Sequence, residues 1–171
     1  MEEHNGSPRS RRNFLRYGMV AGIAALLANA AAALGYFLWP RQVGAFGGTI
    51  VAGRLADFPR GTVSRIRDGR FYIAHVDEGL LALYWKCTHL GCTVPWQPDE
   101  DFQAPAQPLL HGVFHCPCHG TIFTRSGEVV TGPAPRPLDL MELHLEGDKV
   151  VVNTAIILQR SRWEPSQAIR A

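Results

Sequence analysis

Cys87-Thr88-His89-Leu90-Gly91-Cys92 and His115-Cys116-Pro117-Cys118-His119-Gly120 are the two stretches on which the reading of this 171-residue chain turns. Each offers a Cys and a His at short spacing, Cys-x-His in the first box and Cys-x2-His in the second, and each carries one further Cys. Together Cys87, His89, Cys116 and His119 supply two thiolates and two imidazoles. Cys92 and Cys118 are left over. If both loops fold around one metal centre, these two are brought close, and their simplest use is a disulfide that clamps the loops. A disulfide in turn implies an oxidising compartment.

Two thiolates and two imidazoles suit a [2Fe–2S] cluster in which two His replace two Cys on one of the irons. Thiolates are soft anionic donors that hold ferric iron. Neutral imidazoles on the other iron lower the net negative charge, so an electron is added more easily and the potential rises. Such centres run from roughly −150 to +300 mV, against about −400 mV for plant-type ferredoxins. An imidazole bound through one nitrogen also keeps a second, titratable nitrogen, which can couple electron to proton transfer. The same donor set could hold zinc, but zinc fingers usually place Cys-x2–4-Cys before His-x3–5-His, whereas here Cys and His alternate within each box. A plain disulfide pair with incidental histidines is the third possibility.

The two boxes resemble the Rieske iron–sulfur family. Residues 87–96, CTHLGCTVPW, look like the Rieske subunits of cytochrome bc and b6f complexes, and residues 132–138, GPAPRPL, are similar to the family's proline loop beside the cluster. The resemblance implies an all-β protein, an antiparallel β-sandwich with a cluster-binding loop subdomain, preceded by one N-terminal transmembrane helix. It implies one [2Fe–2S] cluster per chain, with Cys87 and Cys116 on the inner iron and His89 and His119 on the outer one, the imidazoles lying at the tip of the head. His119 then occupies the catalytic position, hydrogen-bonding quinol and taking its proton. Leu90 shields the cluster and forms part of a docking surface, and Pro133 belongs to the flanking loop.

Two positions after the second box separate this chain from high-potential members of the family, which usually continue Gly-Ser-x-Tyr. Here the stretch is Gly120-Thr121-Ile122-Phe123. Thr121 keeps a hydroxyl able to donate to a bridging sulfide. Phe123 cannot donate to a ligand thiolate as Tyr would. Each donor stabilises the more negative reduced cluster, so one donor fewer predicts a lower potential, matched to menaquinol rather than ubiquinol.

Outward from the boxes, the chain divides into five parts. Residues 1–16 are polar and basic, and Ser10-Arg11-Arg12-Asn13-Phe14-Leu15-Arg16 reads as a twin-arginine export signal. That route suits a domain exported already folded around its cluster. Residues 17–39 read as a membrane anchor: 19–39 contain no charge, and a helix of that length spans roughly 31 Å, the thickness of a hydrocarbon core. Ala28-Asn29-Ala30 resembles a cleavage site, the alternative to retention. Residues 40–48, with Pro40 and three Gly, read as a flexible hinge. Residues 49–153 form the soluble domain. Short runs rich in β-branched and aromatic residues at 49–53, 62–67, 70–76, 80–86, 113–116, 122–124, 128–131, 141–146 and 150–153 alternate with Gly-containing turns. Residues 95–108, with four Pro, read as a surface excursion, and 154–171 as a C-terminal tail. Of the remaining histidines, His115 is expected to be structural, His111 to lie in a turn, His75 and His144 in strands and His4 in the leader.

The net charge of +2 gives no footprint for nucleic acid. The resulting expectation is the iron–sulfur electron-transfer subunit of a quinol:cytochrome c (or equivalent) oxidoreductase, inactive alone. Its implied partners are a cytochrome b-type subunit, a c-type cytochrome or similar acceptor, membrane quinol and the lipid bilayer. It would sit in a prokaryotic cytoplasmic membrane, single-pass, with the four Arg of residues 9–16 keeping the N-terminus cytoplasmic and the head outside. The rivals are a Rieske subunit of another exported oxidoreductase, arsenite-oxidase-like; a zinc-stapled β domain on a membrane stalk; and a Rieske-type ferredoxin serving an oxygenase.

Overall fold

The computed structural model of the chain describes residues 11–38, 46–105 and 108–170. Two units are described separately, one N-terminal to residue 43 and one from there on.

The first unit is a helix, α1 (Arg11–Leu38), of 28 residues. It is long and apolar enough to cross a membrane, a test that a signal sequence also passes. Its side chains are exposed all round, Leu26, Leu27 and Phe37 among them, as expected of a helix whose solvent is lipid. The helix starts six residues before the expected anchor, because Arg11, Arg12 and Arg16 are good helix formers and extend it at no cost. Trp39, Pro40, most of the hinge and residues 1–10, which include Ser10 of the export signal and His4, lie outside the described residues.

Among its described residues the second unit has ten antiparallel strands: β1 (Thr49–Arg54), β2 (Val63–Ile66), β3 (Phe71–Val76), β4 (Gly79–Tyr84), β5 (Trp96–Phe102), β6 (Leu110–His115), β7 (Ile122–Phe123), β8 (Val129–Thr131), β9 (Leu140–Glu146) and β10 (Lys149–Leu158). They form a six-stranded sheet in the order β1-β10-β9-β4-β3-β2 and a four-stranded sheet in the order β5-β6-β7-β8. The β3–β4 hairpin explains the layering. All of β3 and nearly all of β4 is buried, and side chains alternate between faces with a period of two. Phe71, Ile73, Leu80 and Ala82 enter one core, with Met141, Val150 and Val152 of β9 and β10. Tyr72, Ala74, Leu81 and Leu83 enter the other, with Phe114, Phe123, Cys87 and Cys116. One face of the large sheet therefore serves the base of the head, and the other carries the small sheet and both boxes.

Two segments differ from the sequence expectation. Within the excursion, Trp96–Phe102 is a strand, paired with β6 through Trp96↔Phe114 and Asp101↔His111. The pairing carries His111 into β6 instead of a turn. Pro98 and the acidic run at 99–101 hide this strand, being poor in β-propensity, yet β6 provides the template. The residues after Asn153 continue in β10 to Leu158, where Ile157 and Leu158 pair with Met141 and Leu140 after a bulge. Further on, Ala168 is buried and Ile169 exchanges both main-chain hydrogen bonds with Leu80, at 2.9 Å each.

Candidate metal centre

Both boxes are closed by the same pair of main-chain hydrogen bonds. In the first, Cys87 N–H donates to the Cys92 carbonyl (2.8 Å) and Gly91 N–H to the Cys87 carbonyl (2.9 Å). In the second, Cys116 N–H donates to the Thr121 carbonyl (2.8 Å) and Gly120 N–H to the Cys116 carbonyl (3.0 Å). The fifth residue of each loop is Gly at φ +78° and +70°, the left-handed region where a Cβ costs about 1–2 kcal/mol. Lys86 pairs with Thr93 at the mouth of the first loop, and β6 and β7 flank the second.

This shared geometry brings the expected donors together as two pairs, the thiols in one core and the imidazole rings in contact. Cys87 and Cys116 are free thiols, 4% and 1% exposed. The rings of His89 and His119 meet edge to face with centroids 4.7 Å apart. His89 is half-buried and His119 exposed, so the imidazole side is the outward one. Cys92 and Cys118 form a disulfide that ties one loop to the other. The sulfurs of Cys92, Cys116 and Cys118 lie within 4.8 Å of one another, but this trio is no ligand set. Two of its sulfurs are bonded to each other and offer no thiolate, which leaves Cys116 to pair with Cys87.

The donor set fits a [2Fe–2S] cluster. Burial pushes the Cys87 thiol up from its ordinary pKa; the His89 N–H opposes this, the neighbouring Cys116 adds to it and Thr121 opposes it. Two buried thiolates side by side are unfavourable without a cation between them, and ferric iron supplies that charge. His89 Nδ1 and Thr121 Oγ1 are both buried without a hydrogen-bond partner. The Thr121 hydroxyl thus acts on Cys87 without a hydrogen bond of normal geometry. Orphaned buried polar atoms call for an occupant, and an iron on the imidazole nitrogen and a sulfide on the hydroxyl would satisfy both.

A second layer holds the loops from the side. Gly132 (φ +107°) opens the proline loop and lies so close to Thr121 that an added Cβ would sit 2.5 Å from its Cα. The Thr88 hydroxyl donates to the Arg136 carbonyl (2.6 Å), so the same loop grips the first box. Arg136 forms a two-pronged ion pair with Asp139. Pro133 is exposed on this loop. Leu90 is 70% exposed at the outer end of the first box. Phe123 is fully buried, in the same core as both free thiols. Outside the site, His115 Nδ1 meets Glu100 Oε1 at 2.8 Å and His75 Nδ1 meets the Phe58 carbonyl at 2.7 Å.

One buried charged residue beside the site's supporting loop has no signal in the sequence. Arg160 is 7% exposed, and burial draws its guanidinium down to about 10 while Asp139 and Glu128 oppose the shift.

Comparison with known proteins identifies the family. Residues 49–153 match the Rieske [2Fe-2S] domain. The chain is 33% identical over 161 residues to the cytochrome b6-f complex iron-sulfur subunit of Synechococcus sp. (strain WH7803), covering 85% of this chain and 83% of the relative. It is 30% identical over 149 residues to the subunit of that name from Chlorobaculum tepidum, covering 85% and 76%. Among solved structures, a chain of a hyperthermophilic respiratory Complex III is 29% identical, with 79% of this chain and 98% of that one covered at a TM-score of 0.44. The plasma membrane Rieske protein PetC3 of Synechocystis PCC 6803 is 27% identical, with 60% and 97% covered at 0.43. With the domain match spanning more than half of its length, this chain belongs to the Rieske [2Fe-2S] iron–sulfur proteins.

Proposed function

We propose that the chain is the electron-transfer subunit of a membrane quinol oxidoreductase, passing electrons singly from quinol to a c-type cytochrome or an equivalent acceptor. The relatives named as cytochrome b6-f iron-sulfur subunits, aligned over most of both chains, support the reading. The observation that carries it is the convergence of two buried free thiols and two outward imidazoles from separate loops. Cys87 and Cys116 would hold the inner iron, and His89 and His119 the outer one. The bound cluster supplies one-electron redox chemistry.

The residues around it have separable tasks. Burial of the thiol side would keep water from an iron held there. His119, exposed on the rim, would hydrogen-bond quinol and take its proton. Leu90 presents an apolar surface beside it for a cytochrome b-type partner. A quinol pocket shared with that partner leaves this subunit inactive alone. α1 would be the anchor, residues 40–48 the hinge, and Cys92–Cys118 the clamp of a head that works outside the cytoplasmic membrane. Menaquinol is the favoured donor, because Phe123 brings no hydroxyl to the cluster.

An EPR spectrum of the dithionite-reduced membrane fraction, with purification of the intact subunit, tests this reading. The expected result is a Rieske-type signal and b-type haem that co-purifies. A colourless head that holds zinc and lacks acid-labile sulfide would overturn it. A signal without b-type haem would move the protein to another exported oxidoreductase.

A further inference from the structure

We propose that Arg160 is a positioning residue for the cluster site: it fixes the loop that touches both boxes, directly through the Leu138 carbonyl and indirectly through the Ser126 carbonyl, whose turn holds the Leu138 amide. The inference rests on reading the boxes as that site.

The Arg160 guanidinium spends its donors on fixed acceptors. Nε donates to the Leu138 carbonyl (2.8 Å), one terminal nitrogen to the Ser126 carbonyl, and the other to Gln167 Oε1 (2.9 Å). Its Cζ lies 5.8 Å from the centroid of the Trp163 ring. A planar fork of this kind sets the spacing of its acceptors, which a lysine cannot do. Leu138 N–H donates in turn to the Gly127 carbonyl (2.9 Å), so Leu138 is held at both its amide and its carbonyl. Arg160 packs against the Gly127 turn so tightly that a Cβ at Gly127 would come 2.7 Å from its terminal nitrogen.

Leu138 is where the proline loop re-enters the core, in the same buried group as Cys87, Cys116 and Phe123. Two residues earlier, the Arg136 carbonyl takes the Thr88 hydroxyl of the first box. At the loop's start Gly132 abuts Thr121 of the second. The loop therefore has three fixed points, one on each box and one on Arg160. Without Arg160, the Leu138 and Ser126 carbonyls lose this donor and the third point is held by the Leu138 amide alone.

A residue that only stabilises the head would lower its melting temperature and change nothing at the boxes. The test compares the full-length, cluster-loaded protein with Arg160→Met, Arg160→Lys and Val152→Ala. The last is a truncation in the opposite core, where Val152 is fully buried. Hydrogen exchange of residues 130–138 and the EPR spectrum of the reduced protein are the readouts. For Arg160→Met, exchange is expected to rise at least tenfold, with a shift in g-values and midpoint. Arg160→Lys should do so by less, and Val152→Ala should lower the melting temperature without either change. Unaltered exchange and spectrum in the Arg160 variants, or the same alterations in Val152→Ala, would overturn the proposal. If Arg160→Met does not accumulate, Arg160→Lys decides by the same criteria. A wild-type protein without the cluster signal defeats the site reading and the proposal with it. A wild-type signal with an indifferent Arg160 defeats the proposal alone.

Discussion

The two cluster loops share one backbone and use it differently. Counted from its first Cys, each loop closes from residue one to residue six and turns on a left-handed Gly at residue five. At the third position the first box places His89 and the second places Cys118. At the sixth, the first places Cys92 and the second Thr121. The disulfide thus joins position six of one loop to position three of the other. The second box brings its own imidazole from position four and buries a hydroxyl completely at position six. Loop shape fixes where a side chain can point, while residue type at each position decides whether it is a donor, a clamp or a tuning group.

The first residues are where the loops are alike, and there the largest effect is expected. Cys87→Ser and Cys116→Ser should each abolish the cluster, with iron and the EPR signal of the reduced protein both lost, because each thiol is buried beside the other with no alternative sulfur free. A variant that kept a full cluster would show that one of the disulfide sulfurs can serve, and would break the equivalence of the loops.

The clamp comes next. Replacing Cys92 and Cys118 together with Ser removes a cross-link between residues 26 apart, which by chain entropy is worth about 3.5 kcal/mol. Thermal unfolding of the loaded head should show this loss. Iron content should stay near one cluster per chain at low temperature, since Gly132 and the Thr88–Arg136 bond still hold both loops.

How far these roles were legible in the sequence follows from the range of the interactions. The boxes announce themselves because residue type and a spacing of two or three positions carry the chemistry. The core hairpin is readable as two adjoining apolar runs, although burial on both faces erases the alternation that would show which side chain enters which core. β5 is unreadable, because a strand containing Pro98, Asp99, Glu100 and Asp101 exists only by virtue of its partner. Arg160 is unreadable for the same reason: its main-chain acceptors lie 22 and 34 residues away, and no local pattern distinguishes it from the exposed Arg162.

Position six sharpens the comparison further. Thr121→Val keeps the volume and removes the hydroxyl that only the second loop supplies at this position. If that hydroxyl stabilises the reduced cluster as a hydrogen bond to a charged acceptor, about 1.5–3 kcal/mol is lost, and the midpoint should fall by on the order of 100 mV at 59 mV per tenfold for one electron. A redox titration reads it directly. A midpoint that stays put would mean that Thr121 serves only to pack against Gly132.

The smallest effect is expected two residues on. Phe123 fills a fully buried place in the core that contains both free thiols, and its partner across the small sheet is Phe114. Phe123→Tyr introduces a hydroxyl into a space shaped for a phenyl ring. With a ligand sulfur in reach, the new bond recovers a net 1 kcal/mol or so, and the midpoint should rise by on the order of 50 mV. With none in reach, the hydroxyl is buried unpaired, and the head loses about 1–3 kcal/mol while the midpoint is unchanged. Titration and melting together separate the two. The second outcome would place all the tuning of this centre at Thr121, and the argument for a menaquinol donor would fall with it.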